Sequence, residues 1–445
     1  MDPNRNKGMR QTVSNIGVTF GRQFLAGFLQ LGLLLIIARL LGPEGAGTFS
    51  VALLLPSIMS QLLNLGLVGA TVYFVASGRF SPETAWAASR DVILGVALIG
   101  TLVGALFIFV LGERAFPGID ERVLFIAMLI FPFSLVASLA AAFFQALENF
   151  KAYNLIILTQ PAIALATVPI LWLTGGVDLS AIMISMVLAH ALTLFLALAL
   201  LAREIRIAQP ARGRLEYLRP ALSYGLKAHF SNILAFLNYR LDLFLVNLIV
   251  GPAAAGLYTV AVRLVEQLWM ISTATSTVIF PRLSAMSGND VARRSLTPVM
   301  ARSVMLVTLL ASALLAILAT PLIRLLFGSE FIPATFALFI MLPGVVLLSC
   351  ARVLANDLAA RGMVGINLLL AGGVLLLNTI ANLLLIPYYG IIGAAVATTT
   401  AYSMIFLARI ILQHLLIGMS WWTLLLPLPE DFRRLRRAFS QRSSQ

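Results

Sequence analysis

Apolar residues in this chain gather into long runs separated by short polar breaks. Stretches such as FLAGFLQLGLLLIIA (24–38) and LLLAGGVLLLNTIANLLLI (368–386) approach the ~20 apolar residues that cross a bilayer. No water satisfies the backbone at that depth, so a spanning element is a helix or part of a closed barrel. The runs lack the strict alternation of barrel strands. Read against the turn signals, they predict twelve helices, over 13–38, 46–74, 85–111, 121–146, 152–173, 180–202, 221–248, 254–281, 299–325, 333–356, 364–386 and 391–416. The expected fold class is an all-α polytopic membrane protein with about twelve transmembrane helices.

Composition points the same way. The chain is 60% hydrophobic and 11% charged, whereas soluble domains carry about a quarter charged residues. A net charge of +13 would suggest nucleic acid in a soluble protein. Here the charge lies between apolar runs and in a short tail, where it orients the chain in its membrane, and no nucleic-acid partner is expected. With the N-terminus cytoplasmic, the inward segments hold Arg5, Lys7, Arg10, Arg79, Lys151, Arg361 and the basic clusters at 203–219, 282–294 and 433–442. The outward segments hold only Arg39, Arg114, Arg122 and Arg324. That asymmetry fits an even number of helices with both termini cytoplasmic, in a multi-pass protein of the inner cell membrane. The N-terminus reads as an uncleaved first helix, since a basic start precedes the apolar run without a small-residue cleavage site. The single cysteine, Cys350, excludes an intrachain disulfide, and His190, His229 and His414 are too scattered for a metal cluster. In the tail, Phe432, Leu435 and Phe439 share one helical face among arginines, the pattern of a helix lying on an anionic leaflet.

One phrase occurs twice. LIIARLLGPEGAGTFSVA (35–52) returns as FLVNLIVGPAAAGLYTVA (244–261), an offset of 209. YNLIIL (153–158) and INLLLA (366–371) match at an offset of 213. Two six-helix halves follow: 1–202, a cytoplasmic linker 203–220, a second half 221–416, and a basic tail 417–445. An even helix count per half gives a parallel repeat about the membrane normal, an architecture of transporters whose halves rock around a shared site. In each turn, Gly42 and Gly251 end a helix with a positive φ, and Pro43 and Pro252 stop its continuation. Gly47 and Gly256 then permit close packing where the next helix begins.

The segments ARLLGPEGAGTFSVA, NYRLDLFLV, GPAAAGLYTVAVRL, IFPRLSAM (279–286) and LIPYYGIIGAAVATT (385–399) resemble the Wzx-type polysaccharide or O-antigen flippases. That family belongs to the superfamily of multidrug-and-toxin exporters and lipid II flippases. The resemblance spans nearly the whole chain. It implies a two-lobed, MATE-like transporter, not an enzyme, that moves undecaprenyl-diphosphate-linked oligosaccharide from the inner to the outer leaflet by alternating access. Membrane lipids, a polysaccharide polymerase and glycosyltransferases are the partners it implies. In such flippases the first two helices of each lobe wall the cavity.

The residues support this independently. Polar groups recur at helical spacing on four predicted helices: Asn15, Thr19, Arg22 and Gln30; Ser57, Gln61, Asn64 and Thr71; Tyr224, Lys227, Ser231, Asn238 and Asp242; Thr259, Arg263, Glu266, Thr273 and Thr277. Arg240 and His229 fall on the opposite side of the seventh helix. Arg22 and Arg263 each lie nine residues into a helix, roughly 13 Å deep, where a charge needs a cavity or a partner. Guanidinium matches the oxygens of a diphosphate, so Arg22 and Arg263 are the candidate anion site. Lys227 and Arg240 are candidate guides at its mouths, and Gln61 and Asn64 are candidate cavity ligands. Arg263 and Glu266, three apart, also suit simple mutual neutralisation. Arg352 and Asp357 read as a surface pair or as snorkelling side chains. No cofactor is expected; Glu266 and Asp242 are the carboxylates available for coupling to a proton or sodium gradient.

Two rival classes remain. A drug exporter of the same superfamily handles mainly cations and would favour intramembrane carboxylates over these arginines. A membrane glycosyltransferase or polymerase needs a positioned acid or base, and the short outward loops hold only scattered acids such as Glu113, Asp120, Glu121 and Asp178.

Overall fold

The computed structural model describes residues 3–206, 213–286 and 289–422. The amphipathic tail expected beyond these lies outside the described residues. Thirteen α-helices follow one another: α1 (Pro3–Ala52), α2 (Leu54–Leu63), α3 (Leu67–Ala76), α4 (Pro82–Ala115), α5 (Glu121–Met128), α6 (Ile130–Ala146), α7 (Phe150–Leu173), α8 (Leu179–Glu204), α9 (Arg214–Val250), α10 (Pro252–Ala285), α11 (Asp290–Leu326), α12 (Ala334–Ala360) and α13 (Val364–Ile417). No strand occurs among the described residues.

Among the described residues, nine helical stretches are long and apolar enough to cross a membrane. Two of them, Phe24–Leu63 and Gly365–Ile417, are too long for one crossing at ~1.5 Å per residue. Each is broken by a glycine with a non-helical conformation, Gly42 (φ 66°) and Gly390 (φ 54°). Dividing both there, and adding α10 with its polar stripe, recovers the twelve expected crossings. Polar caps define several starts. Ser81 Oγ accepts from Thr84 N–H at α4, Asp178 Oδ1 from Ala181 N–H at α8, and Asn289 Oδ1 from Ala292 N–H at α11. Each satisfies an amide that the helix itself leaves orphaned.

The chain forms two compact units, Met1–Gly256 and Leu257–Gln445. In the first, α5 and α6 form the buried axis: 61% of their apolar window is buried, against 22–33% for α4, α7 and α8. In the second, α12 plays that part at 72%, packed between α11 and α13. These are the predicted fourth and tenth spans, equivalent places in the two halves of the repeat. Large side chains such as Phe109 and Phe195 stay exposed on the outer helices, as lipid-facing residues do.

Helix α9 begins at Arg214, seven residues before the predicted start at 221. Its first turns belong to the first unit. Tyr217 is fully buried against Phe74 and Phe80, and its hydroxyl lies 3.1 Å from Thr71 Oγ1 and 3.4 Å from Ser89 Oγ. Arg214 pairs with Asp91 of α4. The boundary by contact therefore falls at Gly256, beyond the linker that separates the halves by sequence.

The repeated turns meet. Gly42 and Gly251 both have positive φ (66° and 110°), which glycine tolerates at little cost. A Cβ at Gly47 would overlap the Pro252 carbonyl, and one at Gly256 would overlap the Pro43 carbonyl. The contact is reciprocal, each copy's second glycine receiving the other copy's proline carbonyl. Only glycine permits the approach from either side.

Candidate functional site

The predicted second helix is interrupted between α2 and α3. Leu65 (φ 52°) and Gly66 (φ 70°) are left-handed, a conformation that costs a non-glycine residue about 1–2 kcal/mol. Side chains satisfy the backbone groups released there. Asn64 Oδ1 accepts from Gly66 N–H at 2.8 Å, and its Nδ2 donates to the Ser60 and Gln61 carbonyls at 3.3 Å. His229 of α9, itself buried, lies with Nε2 3.2 Å from the Leu62 carbonyl. Because a carbonyl only accepts, that nitrogen carries the proton. Gly225 faces the break directly, and a Cβ there would sit 2.7 Å from the Gly66 carbonyl.

Beside the break lies a cavity of about 670 Å³, within the ~300–1,000 Å³ range of small-molecule sites. Its walls come from α2 (Ser57, Ser60, Gln61), the break itself (Asn64, Gly66), α3 (Val68, Gly69, Ala70), α6 (Ser134, Ser138) and α9 (Tyr224, Gly225, His229, Asn232, Ala235, Phe236). The described lining carries hydroxyls, carboxamides and one imidazole, and no carboxylate, ammonium or guanidinium. Tyr224 stacks on Tyr73 with ring centroids 4.5 Å apart.

Most of these polar groups have already used their hydrogens. Ser57, Ser134 and Ser138 donate to the carbonyls of Leu53, Phe131 and Leu135 at 2.6–2.9 Å. Ser60 and Ser134 lie 2.9 Å apart, so with the Ser134 hydrogen engaged, Ser60 donates. Serine side chains that bond back to their own helix keep lone pairs for a visitor. The carboxamides of Gln61 and Asn232 have no hydrogen-bond partner among the described residues.

Gln61 and Asn64 thus both line the cavity, but Asn64 spends its side chain on the helix break. Thr71, expected on the same stripe, instead holds Tyr217. On α9 the cavity face runs Tyr224, Gly225, His229, Asn232, Ala235 and Phe236, which takes in Tyr224 of the expected stripe but not Ser231. His229 was expected on the far side. The 4-3-4 spacing of 225, 229, 232 and 236, opening on a glycine, was the available signal. Ser134 and Ser138 were missed because isolated serines in an apolar helix usually bond their own backbone.

The candidate cations are distributed otherwise. The side chains of Arg22 in α1 and Lys227 in α9 lie outside the described residues. Arg240 is half-buried and Asp242 is buried. Arg263 pairs with Glu266, Nη1 to Oε2 at 3.1 Å.

In the second unit the Arg352–Asp357 pairing is corrected. Residues five apart on a helix point about 140° from each other, and each finds other partners. The Arg352 guanidinium lies 4.9 Å from the Trp269 ring centroid, and its Nη1 donates to Ser272 and Thr273 at 3.1 and 3.3 Å. Asp357 has no exposed surface. It accepts from Arg361 Nε (2.9 Å), Gln413 Nε2 (3.1 Å) and Thr297 Oγ1 (3.2 Å), tying together α11, α12 and α13. Arg409 is buried and donates to the Ala351 carbonyl at 2.8 Å.

Comparison with known proteins completes the picture. A probable low-salt glycan biosynthesis flippase, Agl15 of Haloferax volcanii, is 24% identical over 394 residues, 88% of this chain and 80% of the relative. The capsular polysaccharide biosynthesis protein CapF of Staphylococcus aureus is 21% identical over 87% of this chain and 95% of its own. Among solved structures, the lipid II flippase MurJ in an inward closed conformation superposes with a TM-score of 0.75 at 16% identity, over 88% of this chain and 87% of MurJ. An inward-facing multidrug resistance MATE transporter gives 0.71 at 15%, over 88% and 94%. These structural likenesses establish a MATE-like fold. The family model for polysaccharide biosynthesis proteins matches residues 36–335, and the chain belongs to that family.

Proposed function

We propose that the protein is a flippase that carries undecaprenyl-diphosphate-linked oligosaccharide from the inner to the outer leaflet of the cytoplasmic membrane. The carrying observation is a hydrogen-bonding cavity, uncharged among its described lining residues, built at a broken helix of a membrane protein. Broken helices beside a cavity are where transporters hold polar cargo, because the hydrocarbon core offers no other place for irregular backbone. Two relatives named for glycan or capsular polysaccharide biosynthesis support the same reading.

On this reading the lipid tail stays in the bilayer while the headgroup crosses through protein by alternating access. Arg22 and Arg263 are the proposed diphosphate ligands, with Lys227 and Arg240 as guides. Arg263 would then share its guanidinium between Glu266 and phosphate, and Glu266 and Asp242 are the carboxylates proposed to couple transport to a proton or sodium gradient. The test is leaflet transfer of a lipid-linked glycan in reconstituted vesicles, with folded protein quantified alongside. Arg22→Ala should slow transfer at normal folded yield, and Arg263→Gln should slow transfer per folded molecule, with its yield lowered because Glu266 loses a partner. Wild-type rates in both variants would remove these arginines from the account.

A further inference from the structure

The cavity of the first unit has a chemistry that the diphosphate does not explain. We propose that it is a subsite for a neutral sugar ring of the transported headgroup, read by the carboxamides of Gln61 and Asn232. This inference rests on the flippase reading and says which part of the cargo the cavity holds.

The described lining has no cation to meet a phosphate and no carboxylate to meet an amine, and an ion taken from water without a partner is strongly disfavoured. An apolar ligand fits no better, since it would strip water from serines and carboxamides without replacing their hydrogen bonds. A polyhydroxylated neutral ring satisfies both conditions.

The donor and acceptor inventory matches it in detail. The serine hydrogens are committed to main-chain carbonyls or to each other, so those oxygens offer acceptors. Gln61 and Asn232, on α2 and α9, offer uncommitted donors and acceptors together. Each sugar hydroxyl both gives and takes a hydrogen bond, and can bridge a serine oxygen to a carboxamide. Tyr224 is braced by its stack on Tyr73 yet stays 42% exposed. Its electron-rich face suits the C–H groups of a sugar. The break lies at the cavity wall, where Leu65 keeps a left-handed backbone of the strained kind that functional sites retain.

The experiment uses the full chain in vesicles and two lipids: undecaprenyl diphosphate alone, and the same lipid carrying one neutral hexose or N-acetylhexosamine. Gln61→Cys and Asn232→Cys introduce thiols for N-ethylmaleimide, against a sole native cysteine, Cys350, that is buried. The glycosylated lipids should slow labelling at both positions, while the bare lipid should not. Gln61→Leu/Asn232→Leu should weaken binding of the glycosylated lipid about tenfold, two hydrogen bonds being lost, and leave binding of the bare lipid unchanged. Equal labelling with both kinds of lipid, in vesicles that do transfer the glycosylated one, would overturn the subsite and spare the flippase reading. Transfer of neither lipid by folded protein would overturn that reading and the subsite with it.

Discussion

The cavity of the first unit and the side-chain cluster around Asp357 in the second use polar residues in opposite ways. In the first, Gln61, Asn232 and four serines face a cavity and keep hydrogen-bonding capacity unspent. In the second, Asp357 is saturated by Arg361, Gln413 and Thr297, and Arg352 is spread over Trp269, Ser272 and Thr273. A polar group engaged by neighbouring helices holds them together, whereas one left open on a cavity wall can meet a ligand. On the proposed function, the Asp357 cluster serves structure and the open cavity wall serves recognition.

The largest effect should come from breaking the saturated cluster. Arg361→Ala strands the buried Asp357 carboxylate and should destabilise the protein by about 3–5 kcal/mol, read as lost folded yield and a lower thermal midpoint. The frame around the cavity should matter nearly as much. Gly225→Val forces a side chain onto the Gly66 carbonyl and should cost about 3 kcal/mol, measured by the same melt. Arg352→Met removes the cation over the half-buried Trp269 and should cost about 1 kcal/mol. Quenched or shifted Trp269 fluorescence reports that loss directly. The open lining should hardly affect stability: Gln61→Leu should change it by no more than ~0.5 kcal/mol. A loss of several kcal/mol there would mean that Gln61 is structural and would erase the contrast between the units.

Much of this was legible in the sequence. Apolar run length gave twelve crossings, because hydrocarbon leaves the backbone few alternatives. The doubled Gly-Pro phrase gave two tight turns, and Gly47 and Gly256 do pack closely, though that each fits against the other's turn was beyond any local signal. The cavity was half visible. Gln61 and Asn64 stood out by type and spacing, but the break at Leu65 was carried only by the Asn64-x-Gly66 spacing, so Asn64 read as a ligand instead of a cap. On α9 the charges of Lys227 and Asp242 drew the expected stripe, which caught Tyr224 but passed over Gly225, His229 and Asn232. Arg352 and Asp357 looked like a pair because they are near in sequence; helical geometry separates them. Which polar side chains are already satisfied depends on neighbours from distant helices, and that information is tertiary.

The contrast between the units meets its most direct test in transport per folded molecule. Gln61→Leu/Asn232→Leu and wild-type protein would be reconstituted at equal folded density, and leaflet transfer of a glycosylated undecaprenyl diphosphate measured in both. The account predicts that the double variant melts with wild type yet transfers the lipid at about a tenth of the rate or less, two hydrogen bonds being lost. Equal transfer by the two proteins would contradict it.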